Sequence, residues 1–308
     1  MIRKLPFLLL LVLSLNSESS YSHPWGGLVI DNLGNIYFSY ICPLIDNGHF
    51  ACVLKLDSNN EITEILKSDR SPSDIILSRN PARIVYAAER SGRSPNYRNF
   101  LWKIDPNGNE MIIQSFDRDN EFTIQSYAVD FDEIIYYSRL GQVFSSYSNS
   151  EIIFEFDVDR IQLMSLSPKG VLHIIADDNL YKLIDSELQL IATNLRVENP
   201  DNIPFQGANI LFDMSIDEQS NVYLAYYGDR KILKVTNTGE ISTVYESEAP
   251  FSPHGVDLFD GEIFILESTL GNGKSWKFLD RKDDKIIPRI IKIDTNGSVS
   301  EIYSYKLD

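Results

Sequence analysis

The chain alternates short apolar runs with short polar turns. Runs of five to seven residues rich in Ile, Val, Tyr and Phe recur from residue 28 onward, separated by clusters of Asn, Asp, Gly and Pro. No stretch after residue 22 shows the 3.6-residue period of an amphipathic helix. Branched and aromatic residues favour strands, whereas the intervening residues favour tight turns. The pattern therefore predicts an all-β protein.

An inner hairpin repeats along the chain. Segments 27–37 and 213–223 match without a gap, and weaker copies occupy 126–136, 163–173, 254–264 and, with two extra residues, 74–86. An outer hairpin follows each copy and carries an apolar-Lys-apolar triplet, such as Leu54-Lys55-Leu56, in all but the third. Two hairpins make a four-stranded unit. Six units that recur every 37 to 50 residues predict a six-bladed β-propeller of four-stranded antiparallel blades.

A propeller also explains how these strands are covered. One four-stranded sheet that is apolar on both faces cannot bury them alone, whereas radial stacking of six sheets covers every face. We therefore predict one propeller domain over residues 23–308. A two-sheet sandwich is the alternative, but it explains neither the period nor the repeated lysine.

The first 22 residues resemble a signal peptide. Arg3 and Lys4 precede an apolar run from Leu5 to Leu15, and small residues at Ser20 and Ser22 predict cleavage after Ser22. The run is too short to span a bilayer, and no later segment reaches that length, so we expect a secreted or periplasmic protein without membrane insertion. An uncleaved N-terminal anchor is the alternative.

Two cysteines, Cys42 and Cys52, enclose a loop of nine residues. In an oxidising compartment this spacing suits one disulfide that pins a long hairpin loop. Two reduced, buried thiols are the alternative. The predicted leader favours the disulfide.

The composition excludes one class of partner. With 43% hydrophobic and 23% charged residues the chain is that of a folded protein, and its net charge is −16. Nucleic-acid binding needs clustered Lys and Arg, and no basic stripe with interleaved aromatic residues is present. We attribute the acidity to solubility, with cation capture as the alternative.

One face of the predicted propeller carries the candidate ligand site. Long loops at 42–52, 91–100 and 268–289 lie in neighbouring blades, and the link at 199–204 reaches the same face. The predicted ligand-binding residues are aromatic side chains that would stack on a small-molecule or protein ligand and polar groups at the channel mouth: Trp25, Ser126, Tyr227, Glu89, Glu267 and Trp276. Solvated rim charges and ordinary packing between blades are the alternatives for these residues.

The repeats also predict which residues converge on the channel. The gap-free alignment places Gly27, Asp74, Ser126, Leu163, Asp213 and His254 at one level. A shift of one residue in the last blade would replace His254 with Gly255. This choice stays open at the level of the sequence.

The segment 212–217, followed by 221–235 and Gly239, is similar to a blade of the regucalcin/gluconolactonase family and of NHL repeats. The resemblance extends weakly over all six repeats and implies a propeller. It also implies a divalent ion such as calcium in the channel, with Asp74, Asn209 and Asp213 as oxygen ligands and Asp213 as general base. The family has a glutamate in blade 1, where this chain has Trp25-Gly26-Gly27.

The segment Ser252-Pro253-His254-Gly255-Val256 resembles the Pro-His-Gly segment of paraoxonases. That resemblance implies that His254 acts as a base beside calcium. A histidine ring that caps a turn ahead of a strand is the alternative.

Two functions follow from these observations. The first is a secreted binding module that holds a small molecule or a protein segment on its loop-walled face. The second is a calcium-dependent lactonase or esterase with His254 and Asp213 as catalytic residues. The missing glutamate in blade 1 favours binding.

Overall fold

The structure is a computed structural model that describes residues 27–42, 50–69, 73–91, 98–116, 126–139, 141–146, 151–155, 161–196, 211–269 and 287–304. Within these ranges the secondary structure is β, with no α-helix. Accordingly, no helix in this part of the chain is long and apolar enough to cross a membrane.

The strands form six four-stranded antiparallel sheets, each built from four consecutive strands. We call the sheets blades 1 to 6 and the strands of each blade A to D in chain order. The strands are, for blade 1, β1 (Leu28–Ile30), β2 (Ile36–Cys42), β3 (Phe50–Leu56) and β4 (Ile62–Lys67); for blade 2, β5 (Ser73–Arg79), β6 (Val85–Ser91), β7 (Arg98–Ile104) and β8 (Glu110–Phe116); for blade 3, β9 (Tyr127–Val129), β10 (Ile135–Arg139), β11 (Gln142–Ser145) and β12 (Glu151–Glu155); for blade 4, β13 (Ile161–Leu166), β14 (Leu172–Ala176), β15 (Asn179–Ile184) and β16 (Glu187–Ala192); for blade 5, β17 (Leu211–Ile216), β18 (Val222–Tyr226), β19 (Lys231–Val235) and β20 (Ile241–Glu246); and for blade 6, β21 (Phe251–Phe259), β22 (Glu262–Thr269), β23 (Pro288–Ile293) and β24 (Val299–Ser304). The predicted all-β, six-bladed propeller is confirmed.

The hydrophobic core is divided among the spaces between blades. Six buried clusters each combine side chains from two neighbouring blades. One of them joins Leu28 and Phe38 of blade 1 to Leu266 and Ile290 of blade 6. The ring is therefore closed by packing between the first and last blades, without exchange of a strand.

The repeated aspartates shape the hairpin turns. The carboxylate of Asp31, which follows β1, accepts hydrogen bonds from the backbone N–H of Leu33 (2.8 Å) and Asn35 (2.9 Å), and its second oxygen accepts from the Tyr37 hydroxyl (3.2 Å). Asp217 forms the same backbone contacts in blade 5. Asn and Asp at this position mimic a backbone turn. Part of the acidity therefore serves the fold.

The repeated lysine of strand C packs on the aromatic residue of strand B. Lys55 lies opposite Tyr37, with its Nζ 5.9 Å from the ring centroid, and Lys234 lies opposite Tyr223 at 5.3 Å. Such cation–π contacts are worth about 0.5–1 kcal/mol at exposed sites. The lysine signature is thus a cross-strand packing motif.

Strand register corrects two members of the predicted channel ring. The last A–B pair is Ile216↔Val222 in blade 5 and Arg79↔Val85 in blade 2, and the two turns have equal length. Asp213 lies three residues before Ile216, and the residue three before Arg79 is Ile76. Ile76, and not Asp74, is therefore level with Asp213. In blade 6 the A–B turn is one residue shorter, because Asp260 and Gly261 form a tight turn with φ values of 50° and 79°. The ring at this level consists of Gly27, Ile76, Ser126, Leu163, Asp213 and Gly255. We call it the channel ring.

His254 lies in a β-bulge, one residue before the channel ring. The register of β21 shifts between Pro253 and Gly255, so His254 has no partner residue on β22. Equivalent bulges place Gln162 in β13 and Phe212 in β17 just before the ring position. The gap-free alignment was wrong here because it assumed one turn length in every blade.

Two ring glycines permit close approach of the A strands. A Cβ added to Gly27, whose φ is 121°, would lie 2.8 Å from the Leu77 Cβ and 3.0 Å from the Leu77 backbone nitrogen. A Cβ on Gly255 would lie 2.9 Å from the Leu28 backbone nitrogen. Neither contact is compatible with a larger residue unless the strands separate.

Cys42 and Cys52 lie on paired strands. Cys52 is opposite Tyr40, and Cys42 is two residues further along β2, so the two cysteines project from the same face of blade 1. The Cys52 side chain is fully buried. The side chain of Cys42 lies outside what the structure describes, and the disulfide stays a prediction. The predicted leader, residues 1–22, also lies outside the described residues.

Alanine replacements of Gly27 and Gly297 distinguish two causes of lost stability, steric crowding between blades and backbone strain at a positive φ. We expect Gly27→Ala to lower the free energy of unfolding by about 3 kcal/mol. The alanine would have to adopt a positive φ, and its Cβ would clash with the backbone of blade 2. Gly297→Ala is the matched control: its φ is 83°, but an added Cβ meets nothing within 4 Å, so we expect a loss of about 1 kcal/mol. Urea denaturation measures both. Equal losses would contradict close packing of blades 1 and 2 at this glycine.

Candidate functional site

A cavity of about 140 Å³ lies on the propeller axis. Its walls come from strand A of all six blades and from Arg196, which follows blade 4. The walls include Ile76, Ser78, Arg79, Ser126, Gln162, Leu163, Ser165, Asp213, Met214 and Asp257. Residues from every blade therefore meet around this cavity.

The direction of the strands gives this cavity two ends. Strand A of each blade starts on the face that also carries the B–C connections, which we call the loop face. It ends at the A–B turns, on the opposite turn face. Gln162, Phe212 and Arg196 line the cavity toward the loop face, whereas Arg79 and Asp257, near the ends of their strands, lie toward the turn face. We call these ends the mouth and the floor.

The floor is a buried ion pair that crosses the channel. Arg79 of blade 2 reaches Asp257 of blade 6 with its Nε (2.8 Å to Oδ2) and its Nη2 (2.8 Å to Oδ1). The same carboxylate accepts from the backbone N–H of Ile30 (2.8 Å) and Leu258 (2.8 Å) and from the Ser215 hydroxyl (2.7 Å). Burial works to raise the pKa of Asp257, but the neighbouring guanidinium groups hold that pKa below its ordinary value.

A second guanidinium closes the floor from the turn face. Arg83, in the A–B turn of blade 2, donates from Nη1 to the carbonyl of Ile30 (2.7 Å) and from Nη2 to the carbonyl of Leu258. Its Nη1 lies 3.6 Å from Asp257 Oδ2, and its guanidinium carbon lies 4.9 Å from the centroid of the Phe259 ring. Two positive groups therefore face one carboxylate at this end of the cavity.

Asp213 lies above the floor and ties three blades together. Its Oδ2 accepts from the backbone N–H of Val256 in blade 6 (2.9 Å) and of Leu28 in blade 1 (3.3 Å), and its Oδ1 accepts from Met214 N–H (2.8 Å). Burial raises the pKa of Asp213 to about 7, although the three N–H donors favour the charged form.

The mouth carries a smaller polar cluster. Gln162 Nε2 donates to Asp178 Oδ1 (3.2 Å), and Arg196 Nε forms an ion pair with the same oxygen. The amide oxygen of Gln162 is buried and accepts no hydrogen bond from any described residue. A buried acceptor without a partner costs free energy unless a ligand or water satisfies it.

The structure brings two of the predicted site residues to the cavity. Ser126 and Asp213 line it, as their ring positions predicted. Tyr227 is buried behind the wall, where its ring meets Phe212 edge-on with centroids 4.8 Å apart. Asp74 lies two residues from the ring toward the loop face. Three further predicted residues, Trp25, Asn209 and Trp276, lie outside the described part of the chain.

The two predicted rim glutamates are buried between blades. Glu89 accepts from the Ser68 hydroxyl (2.7 Å) and from the Trp102 indole N–H (2.9 Å), and it is 3% exposed. Glu267 occupies the equivalent position in blade 6, where Ser247 and Arg289 are its partners. In both cases a serine that follows the preceding blade donates to the glutamate of the next. These contacts join neighbouring blades and hold both carboxylates away from the cavity.

His254 is also away from the cavity. Its side chain is 1% exposed, and neither ring nitrogen hydrogen-bonds to any described residue. Burial lowers the pKa of His254 to about 3. The catalytic role that the paraoxonase resemblance implies stays a prediction.

The charged floor was missed by the sequence analysis. In the corrected alignment Arg79 stands where the other blades carry Ile, Val or Leu, and Asp257 stands where they carry Val, Ser or Ala. A charged residue at a repeat position that is otherwise apolar or small was the available signal. No comparable departure from the repeat pattern marks Gln162 or Arg196 in the sequence.

Binding of a metal ion depends on how the ligating side chains of the described residues are grouped. No group of three or more His, Cys, Asp or Glu side chains among them lies close enough to hold a metal ion. The oxygens of Asp213 accept N–H donors, and those of Asp257 face Arg79. Asn209, the third predicted ligand, lies outside the described residues, so the calcium site stays a prediction.

Comparison with known proteins identifies the fold. No family model and no curated protein matches the sequence. Among solved structures, the chain is similar to a streptogramin B lyase (TM-score 0.50, 14% identity, 92% of this chain and 83% of that one), to virginiamycin B lyase from Staphylococcus aureus (0.50, 11%, 92% and 85%) and to a protein of unknown function from Bacteroides thetaiotaomicron (0.57, 12%, 87% and 69%). At these identities the likeness shows the propeller fold alone. The NHL and gluconolactonase resemblance is not confirmed by any family model.

The raised pKa of Asp213 predicts a pH dependence of stability. The native carboxyl holds its proton up to about pH 7, whereas the unfolded one loses it near 3.8, so the native state binds more protons between these values. Asp213 therefore makes the free energy of unfolding fall as the pH rises from 4 to 7. Relative to Asp213→Asn, we expect the wild type to lose about 3 kcal/mol over this range.

Urea denaturation at several pH values measures this difference. The variant is needed because the buried histidines act in the opposite direction: burial lowers the pKa of His173 to about 4 and that of His254 to about 3, so their contributions rise with pH. Parallel curves for wild type and variant would show that Asp213 titrates at an ordinary pKa.

Proposed function

We propose that the protein is a binding module that holds a small molecule in the central cavity and admits it from the loop face. The observation that carries the proposal is the cavity itself, which has the size of an engineered protein cavity that binds benzene and is walled by all six blades. Ligand sites are commonly concave and largely apolar, with a few convergent polar groups. Arg79, Asp213 and Gln162 are such groups.

The two ends of the cavity support entry from the loop face. The ion pair and Arg83 occupy the turn-face end, whereas the described residues at the loop-face end are Phe212 and the smaller polar cluster of Gln162, Asp178 and Arg196. The long loops predicted to wall this face lie largely outside the described residues. A volume of about 140 Å³ suits a small molecule better than a protein segment. Export through the leader and the Cys42–Cys52 disulfide are parts of the same proposal.

Filling the cavity should abolish binding. Ser165 lines the wall, and Ser165→Phe places a ring in the space that the ligand would occupy. We expect small molecules that raise the melting temperature of the wild type to leave that of Ser165→Phe unchanged, as measured by differential scanning fluorimetry with neutral, anionic and cationic compounds. Ser300→Phe, on exposed strand D of blade 6, is the control and should respond like the wild type. Equal responses of both variants would place binding elsewhere.

A hydrolase is the second candidate, and Asp213 is the observation that favours it. A buried carboxyl with a pKa near 7 in a cavity wall has the properties of a general acid or base, since it exchanges a proton near neutral pH. If this candidate is correct, a water bound beside Asp213 would be the group that it deprotonates. The wider family resemblance suggests lactones and esters as substrates.

Hydrolysis can be measured directly. On the hydrolase candidate we expect the purified protein to cleave 4-nitrophenyl acetate and δ-valerolactone, and Asp213→Asn to lower the rate by at least about 100-fold. His254→Gln tests the other predicted base. Assays in EGTA and with added Ca²⁺ test the calcium prediction. Rates equal to the buffer blank under both conditions would exclude a lactonase or esterase of this kind.

A further inference from the structure

We infer that the central cavity selects a small carboxylate, which binds the unused edge of the Arg79 guanidinium. This inference rests on the proposed binding function and names the chemical class of its ligand.

The guanidinium of Arg79 has hydrogen-bonding capacity to spare. Arginine carries five N–H donors arranged along two edges, each of which can hold a carboxylate with two parallel hydrogen bonds. Asp257 occupies the edge formed by Nε and Nη2. No hydrogen bond joins Nη1 to a described residue, so the Nη1/Nη2 edge is available. Arg79 also lines the cavity, with only 9% of its side chain exposed.

The floor of the cavity also carries an excess of positive charge, which favours an anionic ligand. Arg79 and Arg83 contribute two positive charges within reach of the single carboxylate of Asp257. Asp213 is the next titratable group, and its raised pKa keeps much of it uncharged at neutral pH. Glu218 and Asp260 lie on the exposed turn face, where water screens them. One added carboxylate would therefore balance the buried charges.

The rest of the wall suits the body of such a ligand. The hydroxyl groups of Ser78, Ser126 and Ser165 line the cavity and make no hydrogen bond within the described part of the chain. Ile76, Leu163 and Met214 supply apolar surface between them. By comparison with the benzene-binding cavity, a molecule of about six to ten non-hydrogen atoms fits. A monocarboxylate with a short apolar or hydroxylated body meets all these conditions.

Matched acids and amides test the inference. Isothermal titration calorimetry of the purified protein with benzoate and butyrate, and with benzamide and butyramide, compares ligands of equal size that differ in charge. We expect each acid to bind at least about tenfold more tightly than its amide, because only the acid accepts two hydrogen bonds from the guanidinium edge. Amides that bind as tightly as acids, or absence of acid binding at millimolar concentration, would overturn the inference.

Arg79→Lys provides the second test. Lysine keeps the positive charge opposite Asp257 but lacks a two-donor edge, so the preference for acids should fall to the part that charge alone provides. Arg289→Lys is the matched control: Arg289 pairs with buried Glu267 outside the cavity, and its replacement should leave the preference intact. An unchanged preference in Arg79→Lys would overturn the inference. If that variant does not fold by circular dichroism, the comparison of acids and amides on the wild type decides.

The outcomes separate this inference from the proposed function. Neutral compounds that bind the wild type but not Ser165→Phe, without a preference for acids, would retain the binding module and reject the carboxylate. Absence of binding by every compound would reject both.

Discussion

Three blades donate hydrogen bonds to one buried carboxylate of a fourth. Asp257 of blade 6 receives Arg79 from blade 2, the Ile30 N–H from blade 1 and the Ser215 hydroxyl from blade 5. Many residues separate these partners along the chain, so the contacts exist only when the ring is closed. Removal of one member of a buried ion pair typically costs about 3–5 kcal/mol, because the other charge is left unpaired. The closed ring and the Asp257 network therefore depend on each other.

The same constraint explains why a cavity exists above the floor. The free inner edges of the A strands must lie close enough for Asp213 and Asp257 to bridge their N–H groups, and Gly27 and Gly255 permit that approach on the side of blades 1 and 6. On the opposite side the strands carry Ser126, Leu163 and Ser165. Among the described residues, no side chain of these three hydrogen-bonds to the backbone N–H of a neighbouring A strand. The space between these two sides is the cavity.

Buried polar groups in this protein have two distinct roles. Glu89 and Glu267 are satisfied by serine, tryptophan and arginine partners, so they join blades and offer nothing to a ligand. Arg79 and Gln162 retain unused hydrogen-bonding groups and line the cavity. Residue type alone does not separate these roles, because both require a polar side chain in a largely apolar interior. Hydrogen-bond capacity and position together distinguish them.

Much of the architecture follows from the sequence, because short-range physics determines it. Alternating apolar residues, Asp-initiated turns and a lysine opposite an aromatic residue act over a few positions, and their sixfold recurrence was sufficient to predict the blades. The same recurrence assigns Ser126 and Asp213 to equivalent positions, and both line the cavity. The floor was decided only in three dimensions: a turn shorter by one residue moved His254 off the ring, and Arg79 meets Asp257 across 178 positions of sequence. Periodicity predicts strands, but the meeting of distant side chains depends on turn lengths and bulges that shift the register by single residues.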